Sequence, residues 1–202
     1  MKQSGYEVSN TTMHKYMNKQ LNLCAIIMHS KPSYKAGKKN KIFDNLLNQK
    51  FTVDCKNKVW CTDFTYMRQP NGKFRYNCSI IDLYDRPAVA SLNSDCINTD
   101  LAINTLKTAL KKEKHPKVIL HSDQGVQFTS CEFVNFCKDN NITQSMSKAG
   151  CPYDNAPMER FYNTFKNCFY YRYTFESVEQ LDEMTKQYIN WYNYVRPHST
   201  NN

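Results

Sequence analysis

The stretch that decides the fold is residues 58–85, "KVWCTDFTYMRQPNGKFRYNCSIIDLYD". Both halves are rich in aromatic and β-branched residues, and the Asn-Gly pair at 71–72 between them suits a tight turn. The pattern therefore predicts two antiparallel strands joined as a β-hairpin. A sheet that begins with a hairpin cannot be all-parallel, so we exclude a doubly wound parallel α/β fold.

Downstream of the hairpin, strand patterns alternate with helix patterns. The predicted elements are a strand over 88–92, a helix over 100–112, a strand after Pro116, a helix from a Thr129–Glu132 capping box, a strand over 142–147, a helix over about 157–172 and a helix from Ser177 to about Val195. This order predicts a mixed α/β fold, in which a hairpin-led meander is followed by strands joined through helices.

Positive charge is concentrated near the N-terminus. The net charge of the 202 residues is +9, and residues 1–50 hold nine Lys but only two acidic residues. We predict that 1–50 form a basic arm, with a short helix capped by Ser9 or Asn10, and that 51–202 form a globular domain. A basic arm on a near-neutral domain is typical of phosphate-backbone binders, although a solubilising tail has the same charge.

Composition excludes several classes of protein. No apolar run is long enough to span a membrane, and the start "MKQSGYEVSN" lacks the apolar core of a secretory signal, so we expect a cytoplasmic protein without a membrane partner. Nine Cys occur without any Cys-x-x-Cys pair, and the five His are scattered. This pattern disfavours a zinc site and predicts reduced, mostly buried thiols.

Three carboxylates occupy positions where burying a charge without a partner would cost free energy. Asp63 interrupts the first strand, Asp123 ends the fourth strand in "KVILHSDQGVQFTS" (117–130), and Glu159 lies one turn into a helix. Each alone suits a cap, a turn or an ion pair. If they converge at one edge of the sheet, they repel one another, and the usual remedy is a hard divalent cation such as Mg²⁺ or Mn²⁺. Two such ions can activate a water or hydroxyl and stabilise the leaving oxygen of a phosphodiester.

Three segments that contain these acids resemble one known family. "WCTDFTYM", "HSDQGVQFTS" and "YDNAPMERFYNTFKN" are similar to the integrase catalytic core of bacterial insertion-sequence transposases, the DDE type related to retroviral integrases. The 35 residues between Asp123 and Glu159 match the family's characteristic spacing. The resemblance covers about residues 50–199 and implies a ribonuclease-H-like fold, a mixed five-stranded sheet flanked by helices.

The resemblance also implies an activity and a site. Asp63, Asp123 and Glu159 would be the catalytic triad and would bind two ions of Mg²⁺ or Mn²⁺. The implied chemistry is hydrolytic nicking at the ends of the element, followed by attack of the freed 3′-hydroxyl on a second phosphodiester. No covalent enzyme–DNA intermediate is implied, so the protein would act mainly by positioning and by neutralising charge.

Further residues are candidates for contact with DNA. Asn155, Asn163 and Lys166 share a helical stripe with Glu159, and the resemblance implies that Lys166 binds a phosphate, whereas a solvated surface Lys is the alternative. His121 is a candidate for a hydrogen bond near Asp123 or the scissile phosphate, and a buried core histidine is the alternative. Gly125 is expected to permit a tight turn. The predicted DNA-binding residues are Lys38, Lys39, Lys41, His121, Asn155, Asn163, Lys166 and Arg196.

The implied partners are double-stranded DNA, both element ends and target, and further copies of the chain assembled on that DNA. In the family, an upstream helix-turn-helix, on a separate protein or a fused reading frame, recognises the ends; residues 1–50 resemble only a remnant of that region. The family core also continues beyond the "RPHS" at 196–199, and an acid is usual where Cys168 stands. A truncated inactive remnant or a DNA-binding regulator of transposition is therefore the alternative, and another ribonuclease-H-like nuclease is less favoured.

Overall fold

The computed structural model describes residues 8–21, 41–69 and 71–196, and the chain divides into two compact units, Met1–Gly37 and Lys38–Asn202. In the first unit, α1 (Asn10–Lys15) continues into one π-helical turn (Tyr16–Gln20). The Ser9 hydroxyl accepts a hydrogen bond from the backbone N–H of Thr12 at 3.2 Å. Ser9 is therefore the cap of the predicted N-terminal helix.

The second unit is built on one five-stranded sheet. Its strands are β1 (Val59–Arg68), β2 (Phe74–Asp82), β3 (Ala88–Ser94), β4 (Ile119–Ser122) and β5 (Thr143–Met146). The spatial order is β3-β2-β1-β4-β5, with β1, β2 and β3 antiparallel and β4 parallel to both β1 and β5. Gly72 has a φ of +80° in the turn between β1 and β2, which the Asn-Gly pair predicts. The mixed sheet and its opening hairpin are confirmed.

Helices cover both faces of this sheet. They are α2 (Thr99–Lys112), α3 (Val126–Thr129), α4 (Cys131–Asp139), α5 (Ala156–Cys168) and α6 (Val178–Tyr194), with 3₁₀ turns at Pro152–Asn155 and Tyr170–Arg172. Trp60 of β1 packs with α2, α3 and α4, whereas its neighbour Cys61 packs with α5 and α6. Alternate β1 residues thus enter opposite cores, because successive side chains of a strand point to opposite faces.

The structure corrects the start of one helix. Ser130, not Thr129, caps α4, because the Ser130 hydroxyl accepts a hydrogen bond from the backbone N–H of Phe133 at 3.2 Å. The hydroxyl of Thr129 instead donates to the carbonyl of Gly125 at 3.2 Å and closes the short helix α3. The two helices meet at Ser130, which has an extended backbone conformation.

The segment 41–50 belongs to the second unit rather than to an N-terminal arm. Leu47 is only 6% exposed and lies in the core beside α5 and α6. The backbone N–H of Leu46 donates to the Ser145 hydroxyl at 2.9 Å. Charge suggests a division after residue 50, whereas the contacts of Leu46 and Leu47 tie this Lys-rich stretch to the second unit.

Most of the described cysteines lie at the surface of the protein. Of the eight described cysteines, five are exposed, so the expectation of mostly buried thiols is wrong. The exposed thiols lie in loops and near helix ends, where no core covers them. Within the described ranges, no helix is both long and apolar enough to cross a membrane.

Candidate active site

The sheet register places two of the predicted acids on neighbouring strands. Val59 pairs with Ile119 and Cys61 with His121, a constant offset of 60 residues. If the same offset continues for two more residues, Asp123 lies opposite Asp63. Asp123 follows the end of β4, and Asp63 lies in the middle of β1. The parallel pairing of β1 and β4 thus brings together two carboxylates that are far apart in the sequence.

The third acid reaches the same place from a helix. Glu159 lies in the first turn of α5, which packs across β1. Asp63, Asp123 and Glu159 line one cavity of about 500 Å³. The loop 147–152 forms the facing wall of that cavity. The structure therefore gathers all three predicted catalytic residues around one space.

Asp63 has the most perturbed environment of the three. Its partial burial, and then the charges of Asp123 and Glu159, raise the pKa of Asp63 to about 7. The backbone N–H of Phe64 donates to Asp63 Oδ1 at 2.7 Å and opposes that rise. Asp123 and Glu159 are exposed. A carboxyl group that resists ionisation beside two further acids is an environment that a divalent cation would relieve.

The chemistry of these donors fits Mg²⁺ or Mn²⁺, which prefer carboxylate oxygens. Their present positions are less close than a coordinated ion requires. In the part of the chain that the structure describes, no three His, Cys, Asp or Glu side chains are grouped so that they could hold a metal ion. Asp123 and Glu159 are exposed, so a bound ion would have to draw the three carboxylates closer together.

Gly125 is needed for space rather than for an unusual backbone conformation. Its φ is −56°, so the turn expected at this position does not use the left-handed backbone conformation that favours glycine. A Cβ at this position would lie 2.9 Å from Asp123 Oδ1 and 3.1 Å from Gln127 Oε1. The N–H of Gly125 also donates to Asp123 Oδ1 at 2.9 Å. The glycine therefore lets the backbone approach the carboxylate and hold it.

Tyr162 connects the helix of Glu159 to the strand of Asp63. Its buried hydroxyl donates to the carbonyl oxygen of Asp63 at 2.8 Å, and Asn77 Oδ1 lies 3.2 Å away. Sequence reasoning missed this contact. The available signal was a tyrosine one turn after Glu159 on an otherwise core-forming face, since a buried tyrosine hydroxyl usually finds a hydrogen-bond partner.

His121 is a core residue. It is fully buried, with Nδ1 2.9 Å from the Ser145 hydroxyl and Nε2 2.9 Å from the carbonyl oxygen of Asp154. Burial lowers the pKa of His121, which keeps the ring neutral. Because β4 lies between β1 and β5 and both ring nitrogens are engaged inside the protein, this arrangement favours the alternative of a buried core histidine over the predicted contact with DNA.

Asn155 forms part of the cavity wall. It is 6% exposed, and its Nδ2 donates to the carbonyl of Thr62 at 3.2 Å. Its Oδ1 is buried and has no hydrogen-bond partner among the described residues. Its hydrogen bond to Thr62 supports β1 beside the carboxylates, and its predicted contact with DNA stays a prediction.

The remaining predicted DNA-binding residues stay predictions. Lys38 and Lys39 lie outside the described residues. Asn163 and Lys41 are exposed, and Lys166 Nζ lies 4.6 Å from the centre of the Tyr66 ring. The guanidinium of Arg196 lies 5.4 Å from the ring centre of Tyr192.

Lys148 is a candidate that sequence reasoning missed. It is exposed and lies on the wall of the carboxylate cavity, in the loop after β5. An isolated Lys in a loop with Gly150 has no periodic signal that separates it from other surface lysines. Its place beside three acids gives the cavity a positive group suited to a phosphate.

Comparison with known families gives two matches, both described as an integrase core domain. One covers residues 53–152 and the other residues 140–202. Together they extend over most of the second unit, and the first contains Asp63 and Asp123 while the second contains Glu159.

Several bacterial proteins are similar in sequence. An uncharacterized transposase-like protein of Haemophilus influenzae is 36% identical over 160 residues, covering 79% of this chain and 74% of the relative. The putative transposase InsK for insertion sequence element IS150 of Escherichia coli is 30% identical over 193 residues, which cover 95% of this chain and 68% of the relative. Transposase InsF for IS3A of the same species is 35% identical, and this chain spans 55% of its length.

Solved structures share the fold at lower identity. One is a chain of the simian T-cell lymphotropic virus intasome in complex with PP2A regulatory subunit B56 gamma. The match has a TM-score of 0.65 at 17% identity and covers 98% of this chain and 68% of the intasome chain. The HTLV-2 integrase catalytic core domain in complex with magnesium matches 72% of this chain and 92% of its own with a TM-score of 0.60 at 18% identity. The ribonuclease-H-like architecture is thereby confirmed.

Proposed function

This chain belongs to the insertion-sequence transposases that carry an integrase core domain, and from that premise we propose that it nicks DNA at the ends of its element and joins the freed strand to a target. Asp63, Asp123 and Glu159 are the proposed catalytic residues. The observation that carries the proposal is that these three carboxylates, from two strands and a helix, line one cavity.

The protein's own residues would position the oxygen donors. The backbone N–H groups of Phe64 and Gly125 hold one oxygen of Asp63 and of Asp123 respectively, leaving the other oxygen of each carboxylate available. Mg²⁺ or Mn²⁺, in our proposal two ions, supplies activation of the attacking water or hydroxyl and stabilisation of the leaving oxygen. Lys148 is placed to contact a phosphate at the cavity wall.

The proposed reaction has two displacements at phosphorus. In the first, a water oxygen bonds to phosphorus and the bond to the 3′-oxygen breaks, which frees a 3′-hydroxyl. In the second, that hydroxyl oxygen bonds to a target phosphorus and displaces the target's own 3′-oxygen. Each step exchanges one P–O bond for another, so no oxidant or energy source is needed.

The proposed partners are double-stranded DNA, further copies of this chain and a helix-turn-helix region that reads the element ends. Support for the first comes from the family and from the net charge of +9. The helix-turn-helix region is proposed because this chain spans only part of the length of its relatives, 55% in the case of InsF.

A product that binds DNA without cutting it is the second candidate. It is favoured by one observation, that the described side chains include no group already placed to hold a metal ion. Salt-sensitive binding to DNA without metal-dependent cleavage is its signature.

The experiment compares nicking of DNA that carries the element ends, with and without Mn²⁺, for the unmodified chain and for Asp123→Asn. We expect Mn²⁺-dependent nicks that the substitution abolishes. Asp139→Asn is the control, since Asp139 is an exposed acid at the end of α4 outside the cavity, and it should nick normally. Equal activity of Asp123→Asn would contradict the catalytic assignment, and no cleavage by the unmodified chain would favour the binding-only product.

A further inference from the structure

The far end of the β1–β2 hairpin carries an aromatic surface. Tyr66 is 59% exposed and Phe74 is 46% exposed, and their ring centres lie 5.5 Å apart in an edge-to-face arrangement. Tyr76, which is partly buried, lies 6.5 Å from Phe74. Because Tyr66 pairs with Tyr76 and Arg68 pairs with Phe74, all these side chains lie on one face of the hairpin. We call Tyr66, Phe74 and Tyr76 the aromatic platform.

The platform continues a row of rings out of the core. Phe64 lies two residues before Tyr66 on the same face of β1, and its ring stacks on Phe128 of α3 at 4.9 Å. At Tyr66 the same face is open to solvent. Neighbouring large rings left exposed beside a packed core indicate a surface that binds something, whereas a single exposed ring would not.

Positive charge surrounds the platform. Arg68 and Lys73 are exposed on the hairpin, and Lys166 of α5 reaches over the Tyr66 ring, with its Nζ 4.6 Å from the ring centre. Asp95, an acid at this end of the sheet, already pairs with Arg75 at 2.7 Å. Aromatic rings among cations that form no ion pair with any described residue suit a ligand with planar groups on an anionic backbone.

The platform lies close to the carboxylate cavity along two elements. Tyr66 follows Asp63 by three residues on β1, which is about 10 Å along a strand but turns the two side chains to opposite faces of β1. The contact of Lys166 with the Tyr66 ring is what connects the platform to α5, the helix that carries Glu159. Lys166 follows Glu159 by seven residues on α5, which is about 10 Å along a helix. A strand of duplex DNA rises about 3.4 Å per nucleotide and an unpaired strand can be more extended, so this separation corresponds to at most about three nucleotides.

We propose, building on the proposed function, that the aromatic platform stacks unpaired bases of the DNA strand whose phosphodiester lies in the carboxylate cavity. Every base has a flat face, so stacking on Tyr66 and Phe74 requires no particular sequence. A fully paired duplex keeps its bases stacked on one another and offers no face to these rings. The platform therefore favours an end whose last bases are separated.

The test measures binding of the full chain, in the presence of a metal chelator, to a blunt duplex and to the same duplex with a three-nucleotide unpaired end carrying 2-aminopurine. We expect tighter binding of the unpaired end and quenching of its fluorescence. Tyr66→Leu and Phe74→Leu keep an apolar side chain but remove the ring. Each should lower affinity for the unpaired end about tenfold and leave the blunt duplex unaffected.

Two further variants make the result specific. Tyr194→Leu is the matched control, because Tyr194 is 76% exposed but lies at the end of α6, where Asn193 bonds to Ala88 at the start of β3, away from the platform. It should bind as the unmodified chain does. Lys73→Glu, in the exposed turn, alters the same surface without changing a ring and should weaken binding of the unpaired end several-fold.

Unchanged affinity for the unpaired end in both ring variants would overturn the proposal. So would a change in sedimentation without a change in DNA binding, which would make the platform a protein–protein surface instead. Because the binding assay needs neither metal nor cleavage, its outcome is separate from that of the proposed function, which fails if the unmodified chain shows no metal-dependent nicking.

Discussion

Asp63 combines partial burial in β1 with two further carboxylates in the same cavity, and this combination makes protein stability depend on pH. Its pKa is about 7 in the folded chain, above the ordinary value for an aspartate of about 4. A group whose pKa is raised by folding stabilises the fold below its unfolded pKa, and this stabilisation is lost as the pH rises through the folded pKa. We expect the metal-free protein to lose on the order of 1 kcal/mol of unfolding free energy from this group between pH 6 and pH 8.

Denaturant unfolding at both pH values, compared between the unmodified chain and Asp63→Asn, measures this loss. The comparison is needed because other groups, such as His121 with its lowered pKa, also titrate in this region. The substituted chain should be more stable at pH 8 and show less dependence on pH, and Mn²⁺ should restore stability at pH 8 only in the unmodified chain. The same pH dependence in both proteins would contradict the raised pKa.

Gly125 gives a second expectation at the scale of one residue. Gly125→Ala places a Cβ 2.9 Å from Asp123 Oδ1, so the carboxylate must rotate away and lose its bond to the Gly125 N–H. The backbone tolerates alanine at a φ of −56°. We expect an unchanged melting temperature and about tenfold weaker Mn²⁺ binding, measured by calorimetry, a loss in keeping with a displaced ligand.

Gly72→Ala is the control for that substitution and should show the reverse pattern. Gly72 has a φ of +80° and no atom within 4 Å of an added Cβ. Alanine there is strained, so stability should fall by about 1 kcal/mol while Mn²⁺ binding is unchanged. If Gly125→Ala instead melts lower and binds Mn²⁺ normally, the close approach to Asp123 has no functional role.

At the scale of secondary structure, the elements with strong local signals were predictable. The hairpin was predictable because its Asn-Gly turn and its strand composition are local features, and α6 because Ser177 caps it. The division of 126–139 into two helices was not, since two adjacent hydroxyl residues, Thr129 and Ser130, offer equally good caps. Only the contact of Thr129 with the Gly125 carbonyl decides between them.

The candidate site was predictable to a similar extent, as a set of acids but not as a set of contacts. Spacing and resemblance selected Asp63, Asp123 and Glu159. They could not show that His121 is buried, because a strand buried on both faces has no alternation that separates interior from exposed positions. Nor could they show that Tyr162 reaches across to β1, since that contact depends on how α5 lies on the sheet.

The pairing of α5 with β1 through Tyr162 is testable. Tyr162→Phe removes the hydroxyl that donates to the Asp63 carbonyl and should cost about 1 kcal/mol of stability. Because this contact joins the elements of Glu159 and Asp63, we expect the cleavage rate to fall several-fold with DNA affinity unchanged. Single-turnover cleavage and DNA titration measure the two effects separately.

Tyr188→Phe is the matched control for that variant. Tyr188 is also a buried tyrosine, but its hydroxyl has no hydrogen-bond partner in the described residues. Removing this hydroxyl should leave stability and cleavage unchanged, or raise stability slightly. A similar loss of cleavage rate in both variants would mean that Tyr162 acts only through general packing.

At the scale of the whole molecule, charge and packing place the division of the chain differently. Charge alone suggests a division after residue 50, whereas the contacts place it between Gly37 and Lys38. A chain that starts at Lys38 should therefore melt within a few degrees of the full chain. It lacks five Lys and one Glu, so the slope of log affinity for DNA against log salt should fall by up to about 4.

A chain that starts at residue 51 should behave differently although it is only 13 residues shorter. It loses the buried side chain of Leu47 and the bonds of Asn45 and Gln49 to Asp154. Together these losses should cost about 3 kcal/mol of unfolding free energy, measured by denaturant titration. Asp154 lies beside the wall of the carboxylate cavity and its carbonyl accepts from His121, so the shorter chain should also bind Mn²⁺ more weakly. Equal stability of the two truncated chains would show that 41–50 contributes nothing to the core and that charge marks the true boundary.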